Sequence, residues 1–273
     1  MLGIRVKASP VTLHVESAGA GPPLVLLHGF AMHGGLFAPA VHALAQRNRV
    51  HVVDLPGHGY SDAVEATTLD EIAGHVLASL DLDGPPTIVG WSFGGLVAQH
   101  IALAHPDNVQ ALVLVSTSPR FVAAADWPHA MTKTTLTRFG DELRASYRLT
   151  LQRFLTLQVQ GSEAGRATLA SLRHALFARH APSPATLARV LEILVETDMR
   201  ASAPRIAVPA VVISGSRDAL TPAGAGAWLA GAMGNGRFAC IEGAAHAPFL
   251  SHRDAFLDVV RAFLDEHAEL SRA

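Results

Sequence analysis

The string Gly90-Trp91-Ser92-Phe93-Gly94, with Gly95 after it, has the form G-x-S-x-G, which can set a serine on a sharp turn between a strand and a helix. The string alone is weak, because a glycine-rich turn with a serine helix cap would read the same way. Its surroundings give it force: a short apolar run (87–90) leads in and a helical pattern (92–104) leads out. In that setting the glycines leave room for a strained backbone, and the helix N-terminus favours negative charge developing beside Ser92 Oγ. The chemistry on offer is nucleophilic attack on a carbonyl, which a serine performs only with a base beside it.

Of the fifteen histidines, His246 has the place for that base. It lies in Glu242-Gly243-Ala244-Ala245-His246-Ala247-Pro248-Phe249, after the last apolar run and before the last helical pattern. A loop there projects over the carboxyl edge of a parallel sheet, where ligands bind. Asp218, in Ser214-Gly215-Ser216-Arg217-Asp218-Ala219-Leu220, follows the preceding apolar run and would orient the base. A loop histidine and a turn aspartate are each ordinary features; what joins them to Ser92 is the chain order Ser, Asp, His. Two backbone N–H groups would hold an oxyanion, those of Phe93 and of Phe30 in the loop His28-Gly29-Phe30. His28 reads as a loop-bracing donor rather than a second base. In Asp54-Leu55-Pro56-Gly57-His58-Gly59-Tyr60-Ser61, Asp54 and Ser61 read as braces and the glycines as turn formers. His28, His33, His51 and His58 form no helical H-x-x-x-H pair and have no carboxylate placed with them, so no metal is expected.

The elements that must position these residues alternate. Short apolar runs at 24–27, 50–53, 87–90, 111–115, 210–213 and 238–241 read as parallel strands buried on both faces, with helical patterns at 35–46, 69–80, 92–104, 222–233 and 253–266. Two further strands, 3–7 and 11–17, are expected to pair antiparallel across a Ser-Pro turn. The sum is a doubly wound, mostly parallel eight-stranded α/β sheet. Between 119 and 205 the strands stop and helical patterns follow at 141–158, 165–179 and 184–196, which predicts a helical lid (119–205) inserted between core segments 1–118 and 206–273.

Composition fits this picture. The 273 residues are 49% hydrophobic and 16% charged, enough for a large core. The single cysteine, Cys240, excludes an intramolecular disulfide and a thiolate metal site. No apolar stretch approaches the ~18 residues of a membrane span, and no signal-like segment opens the chain, so a cytoplasmic protein is expected. A net charge of −2 argues against nucleic acid as partner. The charge is uneven: 120–205 holds 12 Lys and Arg against 7 Asp and Glu, the remainder 9 against 16. On composition alone this basic segment reads as a solvated arginine-rich helical surface.

Taken together these residues resemble the α/β-hydrolase superfamily over essentially the whole chain. A nearer likeness lies in Gly90-Trp91-Ser92-Phe93-Gly94-Gly95-Leu96-Val97-Ala98, Arg153-Phe154-Leu155-Thr156-Leu157-Gln158, Leu191-Glu192-Ile193-Leu194, Thr197-Asp198-Met199-Arg200 and the His246 loop. These runs are similar to the pimeloyl-[acyl-carrier protein] methyl ester esterase family of biotin synthesis; the lid runs are the informative ones, since triad motifs are shared across the superfamily. The resemblance implies hydrolysis of that carrier-bound methyl ester to the free acid and methanol, without a cofactor. It also implies a substrate site of Phe30, Ser92, Phe93, Phe154, Leu155, Thr156, Leu157, Gln158 and His246. Phe30 stands where a tryptophan is common, but the oxyanion needs only its backbone N–H. An acidic carrier protein would dock on lid arginines, with Arg153 and Arg166 at matching positions. Leu149 and Ala170 stand where two more family arginines fall, with Arg148 and Arg173 nearby. A monomer that also accepts small esters in vitro is expected. The triad by itself leaves a broad carboxylesterase, a lactonase, a carbon–carbon bond hydrolase or an inactive ligand-binding scaffold open.

Overall fold

The computed structural model describes residues 11–64 and 68–267. Among them seven strands form one sheet: β1 (Val15–Ala18), β2 (Pro23–Leu27), β3 (Arg49–Val53), β4 (Thr87–Trp91), β5 (Ala111–Val115), β6 (Ala210–Gly215) and β7 (Gly236–Ile241). Their spatial order is β1-β3-β2-β4-β5-β6-β7. β1 runs antiparallel to β3, Val15 opposite Val53, and the other pairs are parallel. The expected strand at 3–7, with its antiparallel pairing, lies outside the described residues. β4, β5 and β6 are buried end to end, as parallel strands covered on both faces must be. The run 238–241 departs from expectation: β7 is the half-exposed edge of the sheet, with no further strand beyond it among the described residues.

The core helices are α1 (Ala38–Leu44), α2 (Leu69–Ala78), α3 (Phe93–Ala104), α7 (Ala223–Ala232), α8 (Pro248–Ser251) and α9 (Arg253–His267); α4 (Lys133–Gln158), α5 (Gly165–Ala178) and α6 (Pro184–Glu196) make the lid. Local chemistry sets their starts. Thr68 Oγ1 accepts the Glu71 N–H (3.1 Å) while the Glu71 carboxylate accepts the Thr68 N–H (2.7 Å), a reciprocal cap that opens α2. Ser183 caps α6 in the same position, with Pro184 in its first turn. The pattern at 35–46 opens as a short 3₁₀ turn, Gly34–Phe37, before α1 begins.

α4 starts eight residues before the expected 141, because Lys133-Thr134-Thr135-Leu136-Thr137 carries three β-branched threonines that mask its helical period. It breaks at Ser146 (φ −148°, ψ 58°), where the Thr150 hydroxyl donates to the carbonyls of Glu142 (2.9 Å) and Ser146 (3.0 Å) left exposed by the kink. The lid leaves and returns at one place. The Met199 N–H donates to the Pro119 carbonyl (2.9 Å), and Arg120 pairs with Asp198 (2.7 Å). Leu151, Leu155, Leu172, Leu187 and Leu194 of the lid join the same apolar core as the sheet. Among the described residues no helix is long and apolar enough to cross a membrane.

His28, directly after β2, is fully buried and braces the loop, as both donor and acceptor. Nδ1–H donates to the Gly29 carbonyl (2.8 Å) and Nε2 accepts the Leu55 N–H (2.9 Å), which joins the loops after β2 and β3. A proton on Nε2 would face another donor. Burial, then the neighbouring His58, pushes the His28 pKa down to about 3; burial likewise pushes His58 down to about 4. Both lie below the ~6.5 of a histidine in the unfolded chain. Between these values the unfolded chain binds protons that the folded chain refuses, so stability is full above about pH 6.5 and falls with acidification. Near pH 5 the slope should approach two protons, on the order of 2–3 kcal/mol per pH unit. Urea midpoints measured at pH 7, 6 and 5 should fall steadily; a flat profile would contradict two neutral buried rings.

Candidate active site

β4 lies at the centre of the sheet, Gly90 opposite Leu27 on one side and Leu114 on the other. Strand pairing continues one residue further, where the Ser92 N–H donates to the Val115 carbonyl (2.9 Å). The chain then reverses: Ser92 has φ 54° and ψ −114°, a backbone state that costs a non-glycine residue about 1–3 kcal/mol. Its carbonyl accepts from the N–H groups of Gly95 (3.0 Å) and Leu96 (3.2 Å) and from Thr117 Oγ1 (2.7 Å). The flanking glycines are forced by space. A Cβ on Gly90 would lie 2.5 Å from the Gly94 oxygen, and one on Gly94 would lie 2.3 Å from the Leu27 oxygen.

Asp218, past the end of β6, is held by four donors. Oδ1 accepts the N–H groups of Leu220 (2.9 Å) and Thr221 (3.0 Å); Oδ2 accepts the Thr221 hydroxyl (2.7 Å) and His246 Nδ1–H (2.8 Å). The side chains of Asp218 and His246 are both buried. With Nδ1 donating to Asp218, Nε2 is the nitrogen left to accept a proton. The His246 backbone is fixed at both ends. Its N–H donates to the Gln158 carbonyl at the end of α4 (3.0 Å), and its carbonyl accepts the Trp91 indole N–H (2.7 Å).

Phe30 follows Gly29 in a turn closed by Met32 N–H on the Gly29 carbonyl (3.2 Å), with Ala31 at φ 62°. Among the described residues, neither the Phe30 nor the Phe93 N–H is engaged by another group. Both are therefore available as donors beside Ser92.

Ser92, His246 and Phe30 line one narrow cleft with about 70 Å³ of free space. Of the expected substrate residues, Phe154 and Leu157 line it as well. Phe93 and Leu155 are buried away from it in the core, and Thr156 faces outward with its hydroxyl on the Gln152 carbonyl (3.1 Å). The Gln158 side chain is buried without a partner for Oε1 among the described residues, while its main-chain carbonyl holds His246. The sequence reading missed Phe121, Met131, Thr135, Leu136, Phe139, Leu191, Leu194, Leu220 and Thr221, which complete the lining. Thr135 and Phe139 on α4, and Leu191 and Leu194 on α6, stand at helical spacing, a signal that could have placed each pair on one face. The rings of Phe30, Phe139 and Phe154 stack edgewise or tilted with centroids 5.4–5.9 Å apart. Ser92, Thr135, Thr221 and His246 are the polar side chains of the lining, and it holds no lysine, arginine, aspartate or glutamate.

The expected docking arginines are all exposed: Arg148 and Arg153 on α4, Arg166 and Arg173 on α5. Arg153 lies 3.7 Å from Glu142, and among the described residues the other three make no ion pair. Arg153 also lines an outer groove that shares Thr135, Phe139, Phe154 and Leu157 with the cleft. No group of three or more His, Cys, Asp or Glu that could hold a metal ion occurs among the described residues.

Comparison with known proteins agrees with this geometry. A family model described as alpha/beta hydrolase fold matches residues 22–253. The chain is 46% identical over 259 residues to a protein of Chromobacterium violaceum named pimeloyl-[acyl-carrier protein] methyl ester esterase, covering 95% of this chain and 99% of that one. A Nitrosomonas europaea protein of the same name is 44% identical over 246 residues, covering 90% and 97%. Among solved structures, an enol-lactonase from Burkholderia xenovorans LB400 superposes with a TM-score of 0.82 at 26% identity, covering 93% of this chain and 97% of that one. An esterase from Exiguobacterium antarcticum superposes at 0.85 with 24% identity, covering 93% and 96%, a likeness of fold. The chain therefore belongs to the α/β-hydrolase fold family and, within it, to the family of the pimeloyl-[acyl-carrier protein] methyl ester esterases.

Proposed function

We propose that this protein is a serine esterase of biotin synthesis that hydrolyses the methyl ester of pimeloyl-[acyl-carrier protein], with Ser92 as nucleophile, His246 as base and Asp218 as the acid that orients it. The observation that carries the reading is the Asp218–His246 bond (2.8 Å) beside Ser92 in an apolar cleft beneath a lid with exposed arginines. Its kinship to proteins bearing that esterase name supports the substrate.

Ser92 Oγ attacks the ester carbonyl as His246 Nε2 takes its proton. The carbonyl oxygen becomes an oxyanion, held by the Phe93 and Phe30 N–H groups. The tetrahedral adduct collapses, the bond to the methoxy oxygen breaks, and His246 returns its proton to release methanol. Water, deprotonated by the same ring, attacks the acyl-enzyme; a second collapse frees the acid and restores Ser92. Asp218 keeps the ring in the tautomer that the first step needs. The apolar cleft suits the neutral ester and its methylene chain. The acid product carries a charge for which the lining offers no cation, so desolvation favours its departure.

The carrier protein is acidic, and guanidinium forks suit carboxylates and phosphates. Arg153 and Arg166, with Arg148 and Arg173 beside them, would seat it on α4 and α5. The reading calls for no cofactor and no nucleic acid, and assigns a monomer to the cytoplasm. Small neutral esters that reach the cleft without docking would be turned over in vitro.

Ser92→Ala should lower ester turnover by about four to six orders of magnitude with the fold intact; near-normal turnover in a clean preparation would remove the assignment. Arg153→Ala with Arg166→Ala should raise KM for the carrier-linked ester at least about tenfold at low salt, and less at high salt, while a p-nitrophenyl ester is unaffected. An equal change on both substrates, or none on either, would detach the arginines from docking.

A further inference from the structure

The residue that ends α5 makes contacts that the reaction as described leaves unused. The Arg179 guanidinium donates to Asp54 Oδ2 (2.8 Å) and to Glu16 Oε1 (2.6 Å), and lies 5.0 Å from the centre of the Tyr60 ring. Its side chain is 9% exposed, and the Asp54 side chain is fully buried. Asp54 also accepts the Gly34 N–H (2.7 Å) on Oδ1 and the Tyr60 N–H (2.9 Å) on Oδ2. One turn earlier in α5, the Ala175 carbonyl accepts His33 Nε2–H (2.6 Å), while His33 Nδ1 accepts the Gly35 N–H (3.1 Å). His33, Gly34 and Gly35 are thus held, directly or through Asp54, by the last turn of a lid helix.

The same loop carries Phe30 four residues before Gly34. Its start is also confined, since a Cβ on Gly29 would come within 3.0 Å of the Trp91 ring. Both ends of a short segment with Ala31 at φ 62° are therefore pinned, the first by the nucleophile strand and the second by Arg179 and Asp54. A buried carboxylate without its cation is costly, and relief comes by moving the loop or admitting water. Either shifts Gly34, and with it the Phe30 N–H.

We infer that Arg179 is a positioning residue for ester hydrolysis, acting through Asp54 and Gly34 to set the Phe30 N–H where the oxyanion forms. The inference rests on the reading of Ser92 and Phe30 given above. An oxyanion donor works by being in place before charge develops, and removing one costs about 10²–10³ in kcat; displacing one costs part of that. The planar fork donates to Asp54 and Glu16 from two different nitrogens in a fixed geometry, which the single nitrogen of a lysine reproduces only in part.

The test uses Arg179→Met and Arg179→Lys, p-nitrophenyl butyrate as substrate, and a trifluoromethyl ketone beside its methyl ketone counterpart as ligands. The small ester needs no docking, so a defect in partner binding leaves its rates alone. The Met variant should lose about 10–100-fold in kcat with KM within about twofold, and the Lys variant should fall between it and the wild type. Trifluoromethyl ketone affinity should weaken by the same factor as kcat, with methyl ketone affinity unchanged. If the Met variant fails to fold, the Lys variant carries the comparison, with a loss of at least about threefold expected. A folded variant with a lower Tm but wild-type kcat and ketone affinities would overturn the inference and leave Arg179 a purely structural tie. A wild-type protein inactive on the ester would instead overturn the esterase reading on which it rests, and is told apart because it precedes any comparison of variants.

Discussion

The constraint on which the rest of the structure depends is the crowding around the reversal at Ser92. A residue with φ 54° and ψ −114° is strained, and strain persists only where the surroundings overdetermine it. Here the strand hydrogen bond to Val115 fixes one side, and the Gly95, Leu96 and Thr117 donors on the Ser92 carbonyl fix the other. The first turn of α3 must then pass so close to β2 and β4 that no side chain fits at Gly90 or Gly94. The close approach in turn demands closely packed neighbours, and β4 is buried along its whole length. This accounts for β4 at the centre of the sheet, with β2 and β5 in parallel register beside it.

A second consequence follows from where that turn leaves the serine. The cleft above it is apolar, so any polar group there must be satisfied within the protein. Asp218 meets this with four donors, and Thr221 supplies two of them. In so apolar a setting the Phe30 and Phe93 N–H groups, which no other group engages among the described residues, would be worth more toward any anion than they would be in water. The loop holding Phe30 can stay in place because His28 is used up as a neutral brace between two loops rather than left as a rival base. One set of buried polar groups thus arranges the donors, and the apolar wall strengthens their effect.

What could be read from the sequence divides along physical lines. Ser92, Asp218 and His246 could be placed together from the sequence because each follows an apolar run that forms a strand, and strand ends of a parallel sheet share one edge. Thr221 was not, since a threonine three residues past a turn aspartate looks like any turn former until its hydroxyl is seen on Asp218 Oδ2. The run 238–241 looks as apolar as the central strands, but composition does not reveal how many neighbours a strand has, and among the described residues β7 has one. The first two turns of α4 were hidden by threonines. Gln158 was singled out through family likeness; the hydrogen bond from the His246 N–H to its main-chain carbonyl was not legible, because the identity of a side chain is no guide to it. The Arg179–Asp54 pair joins residues far apart in the chain, and no local pattern announces it.

The helices between β5 and β6 are tied to two of the loops that border the cleft. At the end of α4 the Gln158 carbonyl takes the His246 N–H, so that helix fixes the His246 backbone. At the end of α5 the Ala175 carbonyl and Arg179 hold the loop of Phe30. Those two helices also bear Arg148, Arg153, Arg166 and Arg173 on their exposed sides. Free-standing loops would leave base and donors to wander independently over the sheet edge. Tying each to a different lid helix makes their separation a property of lid packing, set by the leucines that α4, α5 and α6 share with the core.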